Sequence, residues 1–280
     1  MSGRVEVVIF WFAMLSLQSS GHGQELQDPP KQSPSNSIAS TVGGDILHVL
    51  SSPFRLSRDS SLKLLALTVA TTGFMTLLDD RIDKNFIERD AFYVKPAIGL
   101  AKIGDGYDVI SSNFVLAGLS VSMLAGGLIL DDKKLLETTR LVVESFLIAG
   151  AITQLGKRVL GRSRPYTGAG TTEFEPFKFR STTDSRSFPS GHTTSAFAMM
   201  TVLAKQYDHL WIKIPAYTIA VSVAMQRIES RNHWGADILV GGVIGYSVGN
   251  ALVNRYRQQS KSWSVSPYIF GNRVGVIVGF

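Results

Sequence analysis

From Ser61 onward the chain is written as six apolar runs, roughly 61–78, 109–130, 138–156, 191–205, 211–227 and 235–253, parted by short charged loops. Runs of this length are too long for ordinary strands and read as helices. Small residues within them, as in "AGGLIL" and "GGVIGYSVG", let neighbouring helices approach closely. Only 109–130 reaches the roughly 20 residues a bilayer demands without carrying a charge. The others hold Lys63, Arg140 with Glu144, Lys213 or Asp237, or are short. The fold expected is all-α: a bundle of about six core helices, membrane-embedded, spanning residues 61–255. After Arg257 apolar residues alternate (Val274, Val276, Val278, Phe280) and Gly271-Asn272 suits a tight turn. A short C-terminal β-hairpin packed on the bundle is expected over the tail, residues 256–280.

Ahead of the bundle, residues 1–23 read as an export signal or an N-terminal anchor. Arg4 precedes the apolar core "VVIFWFAMLSL", and "GHG" supplies small residues before Gln24. Residues 24–60, rich in Pro, Ser and Gln, read as a flexible linker. The 280 residues suffice for one large domain or two small ones. A formal charge of +6 favours anionic partners, namely phosphates or acidic headgroups. No basic stripe interleaved with aromatics is present, which argues against nucleic acid. The chain has no cysteine, so disulfides, thiolate metal sites and a cysteine nucleophile are excluded.

Three stretches carry chemistry. In "RNHWGADIL" His233 precedes Asp237 by four residues, one turn on a helix. A carboxylate so placed can accept Nδ1–H, fix the tautomer and turn Nε2 outward. Such pairs are often incidental, but an unpaired carboxylate at the head of an apolar run is costly. In "GKRVLGRSRP" Lys157 and Arg164 stand seven apart, on one helix face before Pro165 stops the helix. That pair either grips a phosphate or faces water. In "FPSGHTTS" Ser190 is a natural N-cap, Gly191 leaves the first turn bare, and His192 follows. Helix N-termini of that kind bind oxyanions through their amides. His22, His48 and His209 lack such company and read as solvated. So do the pairs Asp79-Asp80 and Asp131-Asp132, which leaves no carboxylate cluster suited to a metal.

The ordered set Lys157-x6-Arg164-Pro165, Pro189-Ser190-Gly191-His192 and Arg227-x5-His233-x3-Asp237 resembles the three-part signature of the type 2 phosphatidic acid phosphatase superfamily. That superfamily includes bacterial class A acid phosphatases and vanadium haloperoxidases. The resemblance implies that Lys157, Arg164 and Arg227 neutralise phosphate oxygens while Ser190 and the Gly191 amide donate to them. It implies that His233, oriented by Asp237, attacks phosphorus, and that His192 protonates the leaving oxygen. No metal and no cofactor are implied. One position departs: the family usually has Ser before the third-motif Arg, and here the residue is Gln226. The activity implied is hydrolysis of a phosphorylated lipid (phosphatidate, a polyprenyl pyrophosphate or a lipid A phosphate). The alternatives are a soluble periplasmic acid phosphatase acting on small phosphate esters and a vanadate-dependent haloperoxidase.

Counting runs supplies a check. The first two motifs follow the third run and the last follows the fifth, so six spans would bring them to one face. The location expected is the bacterial cell envelope, with the site on the periplasmic side or in a soluble periplasmic domain. The oligomeric state is not set by the sequence. The connection 166–187 holds Phe174, Phe177 and Phe179 beside Lys178 and Arg180, a segment suited to cover a pocket and receive an acyl chain.

Overall fold

The structure, a computed structural model, describes residues 38–51, 57–177, 182–260, 264–270 and 273–279. The export signal, the first part of the linker and the turn at Gly271-Asn272 lie outside these residues. The linker region nevertheless contains a helix, α1 (Ile38–Leu50). A long helical arm follows: α2 (Arg58–Gly73) passes through a π-helical turn at Phe74–Leu78 into α3 (Asp79–Glu88). Ser57 caps its start by accepting from the Ser60 amide at 3.2 Å. Then come α4 (Val94–Ile110), α5 (Ser112–Ile129), α6 (Lys133–Leu160), α7 (Gly191–Gln206), α8 (Leu210–Glu229) and α9 (Gly235–Ser260).

Five of the six apolar runs fall within this arm or one of α6 to α9; the run 109–130 starts on the last two residues of α4 and continues as α5. Helix α4 is additional. Lys95, Lys102, Asp105 and Asp108 interrupt its apolar pattern, yet Val94, Ala101, Gly104 and Tyr107 are buried along it. Asp132 is not merely solvated: its carboxylate accepts from the Leu135 amide at 3.0 Å and caps α6.

Helix α7 is the hub, packed against α6, α8 and α9, with α4 lying on α8 and α5 on α6. Leu141 and Ile152 from α6, Met199 and Val202 from α7, Val223 from α8, and Ile244 and Leu252 from α9 belong to one buried core. The glycines of α9 make the α7 contact possible: a Cβ on Gly245 would sit 2.3 Å from the Thr194 carbonyl oxygen, and one on Gly241 2.8 Å from that of Ser190. Larger residues there would push α9 off the start of α7.

Among the described residues, three helical stretches are long and apolar enough to cross a membrane: Arg58–Glu88, Ser112–Ile129 and Gly235–Gln259. Only 17% and 11% of the apolar windows of the first two are buried, against 72% for the third. Leu62, Leu65, Val69 and Leu77 on the arm, and Phe114, Val121 and Leu128 on α5, therefore face outward. Burying one such side chain contributes about 1.5–3 kcal/mol, and a bilayer supplies that burial. Past α9 the backbone pairs β1 (Ser264–Phe270) with β2 (Arg273–Gly279), Val265 opposite Val278. The packing of this tail on the bundle falls outside the described residues, and the all-α bundle is the architecture that positions the site.

Candidate active site

The C-terminus of α6, the N-terminus of α7 and the turn between α8 and α9 meet at one end of the bundle, bringing the three motif stretches together. Helix α6 stops earlier than Pro165 suggests. Gly161 adopts φ +63°, and its amide closes the last turn on the Lys157 carbonyl at 3.2 Å. A Cβ at Gly161 would lie 2.1 Å from the Glu175 carbonyl oxygen, so only glycine lets the chain turn here. Lys157 is thus on the helix and Arg164 on the loop beyond it, not on one helical face. Lys157 Nζ donates to the Arg186 carbonyl at 2.6 Å, and a Cβ on Gly191 would touch Lys157 Cε at 3.6 Å. Burial, and then the Arg164 guanidinium, push the Lys157 ammonium down to about 7. Arg164 Nη1 donates to Asn232 Oδ1 at 2.9 Å, which ties the first motif to the third.

Ser190 stands at the N-cap of α7 but makes no side-chain cap bond; its Oγ accepts from Thr193 Oγ1 at 3.0 Å instead. The first-turn amides of a helix have no partner within it and point out of its end. The Ser190 amide itself donates to the Asp237 carbonyl at 3.0 Å. His192 is a third exposed, whereas His233 is buried.

His233 lies in the turn before α9, its amide donating to the Arg227 carbonyl at 3.1 Å. Its Nδ1 is 3.5 Å from Asp237 Oδ2 and makes no hydrogen bond, so the expected pairing is a close approach rather than a bond. The reason is competition. Asp237 Oδ2 already accepts from the Trp234 amide at 2.9 Å and from Ser187 Oγ, while Oδ1 accepts from Arg162 Nη1 at 2.6 Å. Burial, then the charge of Lys157, hold the His233 ring down to about 3, with Asp237 opposing them and Arg164 adding to the cationic side. A neutral imidazole at neutral pH is what a nucleophile needs.

Arg162 was not singled out by its sequence position, yet its charge is held on both sides by carboxylates. It is fully buried and bridges Asp237 to Asp79, whose Oδ2 lies 2.7 Å from Nη2. Its guanidinium also lies 5.4 Å from the Trp234 ring and 5.8 Å from that of Phe174. Asp79 is therefore not solvated: it is buried, and its Oδ1 accepts from the Ala236 amide at 3.0 Å. A second unforeseen carboxylate, Asp108 at the end of α4, lies 2.5 Å from Arg227 Nη2. Gln226 Oε1 accepts from Arg227 Nε at 2.6 Å, a short contact that the longer amide side chain permits.

The aromatic connection divides. Phe174 packs on the core and pairs its backbone with Arg162, so it cannot cover a pocket. Phe177 is exposed, and Lys178, Phe179 and Arg180 lie outside the described residues.

Residues 139–261 match the sequence model of the PAP2 superfamily. A lipid A 1-phosphatase of Porphyromonas gingivalis is 33% identical over 104 residues, 36% of this chain and 20% of that protein. A lipid A 1-phosphatase of Rhizobium johnstonii is 29% identical over 111 residues, 38% of this chain and 44% of that protein. The chain thus spans between a fifth and somewhat under half the length of these relatives. Among solved structures, a transmembrane PAP2-type phosphatidylglycerolphosphate phosphatase of Bacillus subtilis covers 69% of this chain and 94% of its own at a TM-score of 0.46 and 20% identity. The resemblance to the type 2 phosphatidic acid phosphatase superfamily stands for residues 139–261.

Proposed function

We propose that the chain hydrolyses a phosphate monoester or pyrophosphate of a lipid, without a metal, through a phosphohistidine intermediate. The observation that carries this reading is the convergence of Lys157, Arg164, Arg227 and the bare first turn of α7 around two histidines of different burial. Phosphoryl transfer leaves little for side chains to do beyond in-line placement and dispersal of charge on the equatorial oxygens. Here three cations, Ser190 and the Gly191 amide perform that dispersal. His233 Nε2 attacks phosphorus as the bond to the leaving oxygen breaks, and His192 gives that oxygen a proton. Water then attacks phosphorus, loses a proton to His192 and releases phosphate from His233. Asp237 keeps the imidazole turned toward phosphorus and balances its positive charge in the covalent state.

A lipid substrate is favoured over a small soluble ester by the outward apolar faces of the α2–α3 arm and α5, which fit hydrocarbon. The superfamily match and the lipid A 1-phosphatase relatives point to the same class, with phosphatidate, polyprenyl pyrophosphate and lipid A phosphates as the candidates. We place the site on the periplasmic side of a bacterial envelope. Intact spheroplasts should then hydrolyse an impermeant phosphate ester, and hydrolysis only after lysis would reverse the orientation.

The reading is tested by phosphate release from mixed micelles carrying each candidate lipid, with purified full-length protein in excess EDTA. Turnover of at least one lipid should survive chelation, and orthovanadate should inhibit competitively. Activity that appears only on adding magnesium would contradict the mechanism.

A further inference from the structure

Asp108 reaches the site from α4, outside the residues that match the superfamily. Its Oδ1 lies 2.5 Å from Arg227 Nη2 and 3.8 Å from His192 Nε2. Its Oδ2 accepts from Gln226 Nε2 at 3.3 Å, and Gln226 Oε1 accepts from Arg227 Nε. The three side chains close a ring that fixes the carboxylate. The residue before it, Tyr107, sets its ring edge-on to the His192 imidazole at 6.2 Å and shares a 2.7 Å hydrogen bond with Ser195 one turn along α7. His192 is thus held between an aromatic wall and a carboxylate.

The charges facing His192 are mostly of one sign. Burial, which weighs most, and then Arg227 from α8, Lys157 from α6 and Arg164 from the loop after α6 all favour the neutral ring, and the balance lowers His192 to about 4. Asp108 is the group among these that favours the imidazolium. An acid catalyst must hold its proton when substrate arrives, and a carboxylate within about 4–6 Å supports the protonated form by roughly 1–3 pKa units. At 3.8 Å Asp108 is too far to accept that proton in a hydrogen bond, so Nε2–H stays available to the leaving oxygen.

We propose that Asp108, fixed by Gln226, is a positioning residue that favours the protonated form of His192 against the surrounding cations, raising the share of the ring able to give the leaving oxygen its proton. It rests on the phosphatase reading in which His192 is the acid. It also gives Gln226 a task in place of the family's usual Ser: bracing the pair formed by Asp108 and Arg227.

The test uses the full chain in detergent, with Asp108→Asn, Asp108→Glu and Gln226→Ser. Titration of isotope-labelled histidine rings, with the His192 signal identified by its loss in His192→Gln, needs no turnover. It should show the His192 pKa falling by about one unit or more in Asp108→Asn, recovering in Asp108→Glu, and falling by less in Gln226→Ser. The alkaline limb of kcat/KM should move to lower pH by the same amount. Substrates with poor leaving groups should lose at least about tenfold more activity than p-nitrophenyl phosphate. An unmoved His192 titration in folded Asp108→Asn would overturn the proposal. So would a lowered KM with an unchanged pH limb, which would make Asp108 an internal competitor for the anion site. A wild-type chain that hydrolyses no phosphate ester while its His192 titration still answers to Asp108 would instead defeat the phosphatase reading and leave the coupling intact.

Discussion

Both ends of the bundle set an arginine among carboxylates, Arg162 fully buried and Arg140 partly so, separated by most of α6, about 25 Å from Arg140 to Lys157 at 1.5 Å per residue. At the far end Arg140 Nη1 lies 3.0 Å from Asp45 and 2.6 Å from Glu144, its Nε 2.9 Å from Glu137, and Arg255 closes on Asp45 at 2.6 Å. That cluster sets two arginines against three carboxylates, and it pins α1 to α6 and α9. At the near end Arg162 joins Asp79 to Asp237, but Lys157, Arg164 and Arg227 stand beside it, four cations against three carboxylates once Asp108 is included. The two ends share a structural device and differ in the sign of what is left over. An excess of cations beside a bare helix N-terminus draws a phosphate; an excess of carboxylates does not. Buried ion pairing by itself marks neither end as a site.

The comparison breaks first at His233. Replacing it by Ala should cut turnover by on the order of 10⁴-fold or more with the folded bundle unchanged by circular dichroism. A smaller loss would return the near end to a structural cluster like the far one. Next come the two arginines. Arg162→Met leaves Asp79 and Asp237 buried without their partner, and Arg140→Met strands Glu144 while Arg255 still holds Asp45. Each should destabilise the fold by up to about 3–5 kcal/mol, read from chemical or thermal unfolding. Only Arg162→Met should also lower kcat of the folded fraction, by roughly 10–10²-fold. Equal kcat in both folded variants would erase the distinction between the ends. A finer measurement is the His233 titration, where the ring should stay neutral from pH 7 down toward its value of about 3. Protonation nearer 6.5 would mean that burial and Lys157 do not act on it as described. The smallest effect is expected at the exposed Phe177, where Ser should slow lipid turnover by about tenfold or less and spare a soluble ester.

Much of this was legible in the sequence. The apolar runs announced the helices of the core, because burial against several neighbours demands unbroken apolar text. The three motif stretches named the residues that gather at one end, because each works through local geometry: a helix exit, a helix start, a one-turn pair. Partnerships across the chain were not legible. Asp79 follows the first run and reads as a loop charge; only its approach to Arg162, 83 residues on, makes it a buried brace. Helix α4 was hidden by its charged outer face, although Ala101, Gly104 and Tyr107 at three-residue steps carry a helical stripe. The stop at Gly161 rather than Pro165 was readable in principle, since glycine commonly ends helices, and it moved Arg164 from a helical face to a loop.

The central claim is that His233 carries the phosphoryl group. Rapid quench of the full-length protein with ³²P-labelled lipid phosphate, followed by peptide mapping, tests it directly. An acid-labile, alkali-stable label on the peptide containing His233, absent from His233→Gln, is the predicted result. Full wild-type turnover with no labelled protein at any time, or label on a different residue, would contradict the account.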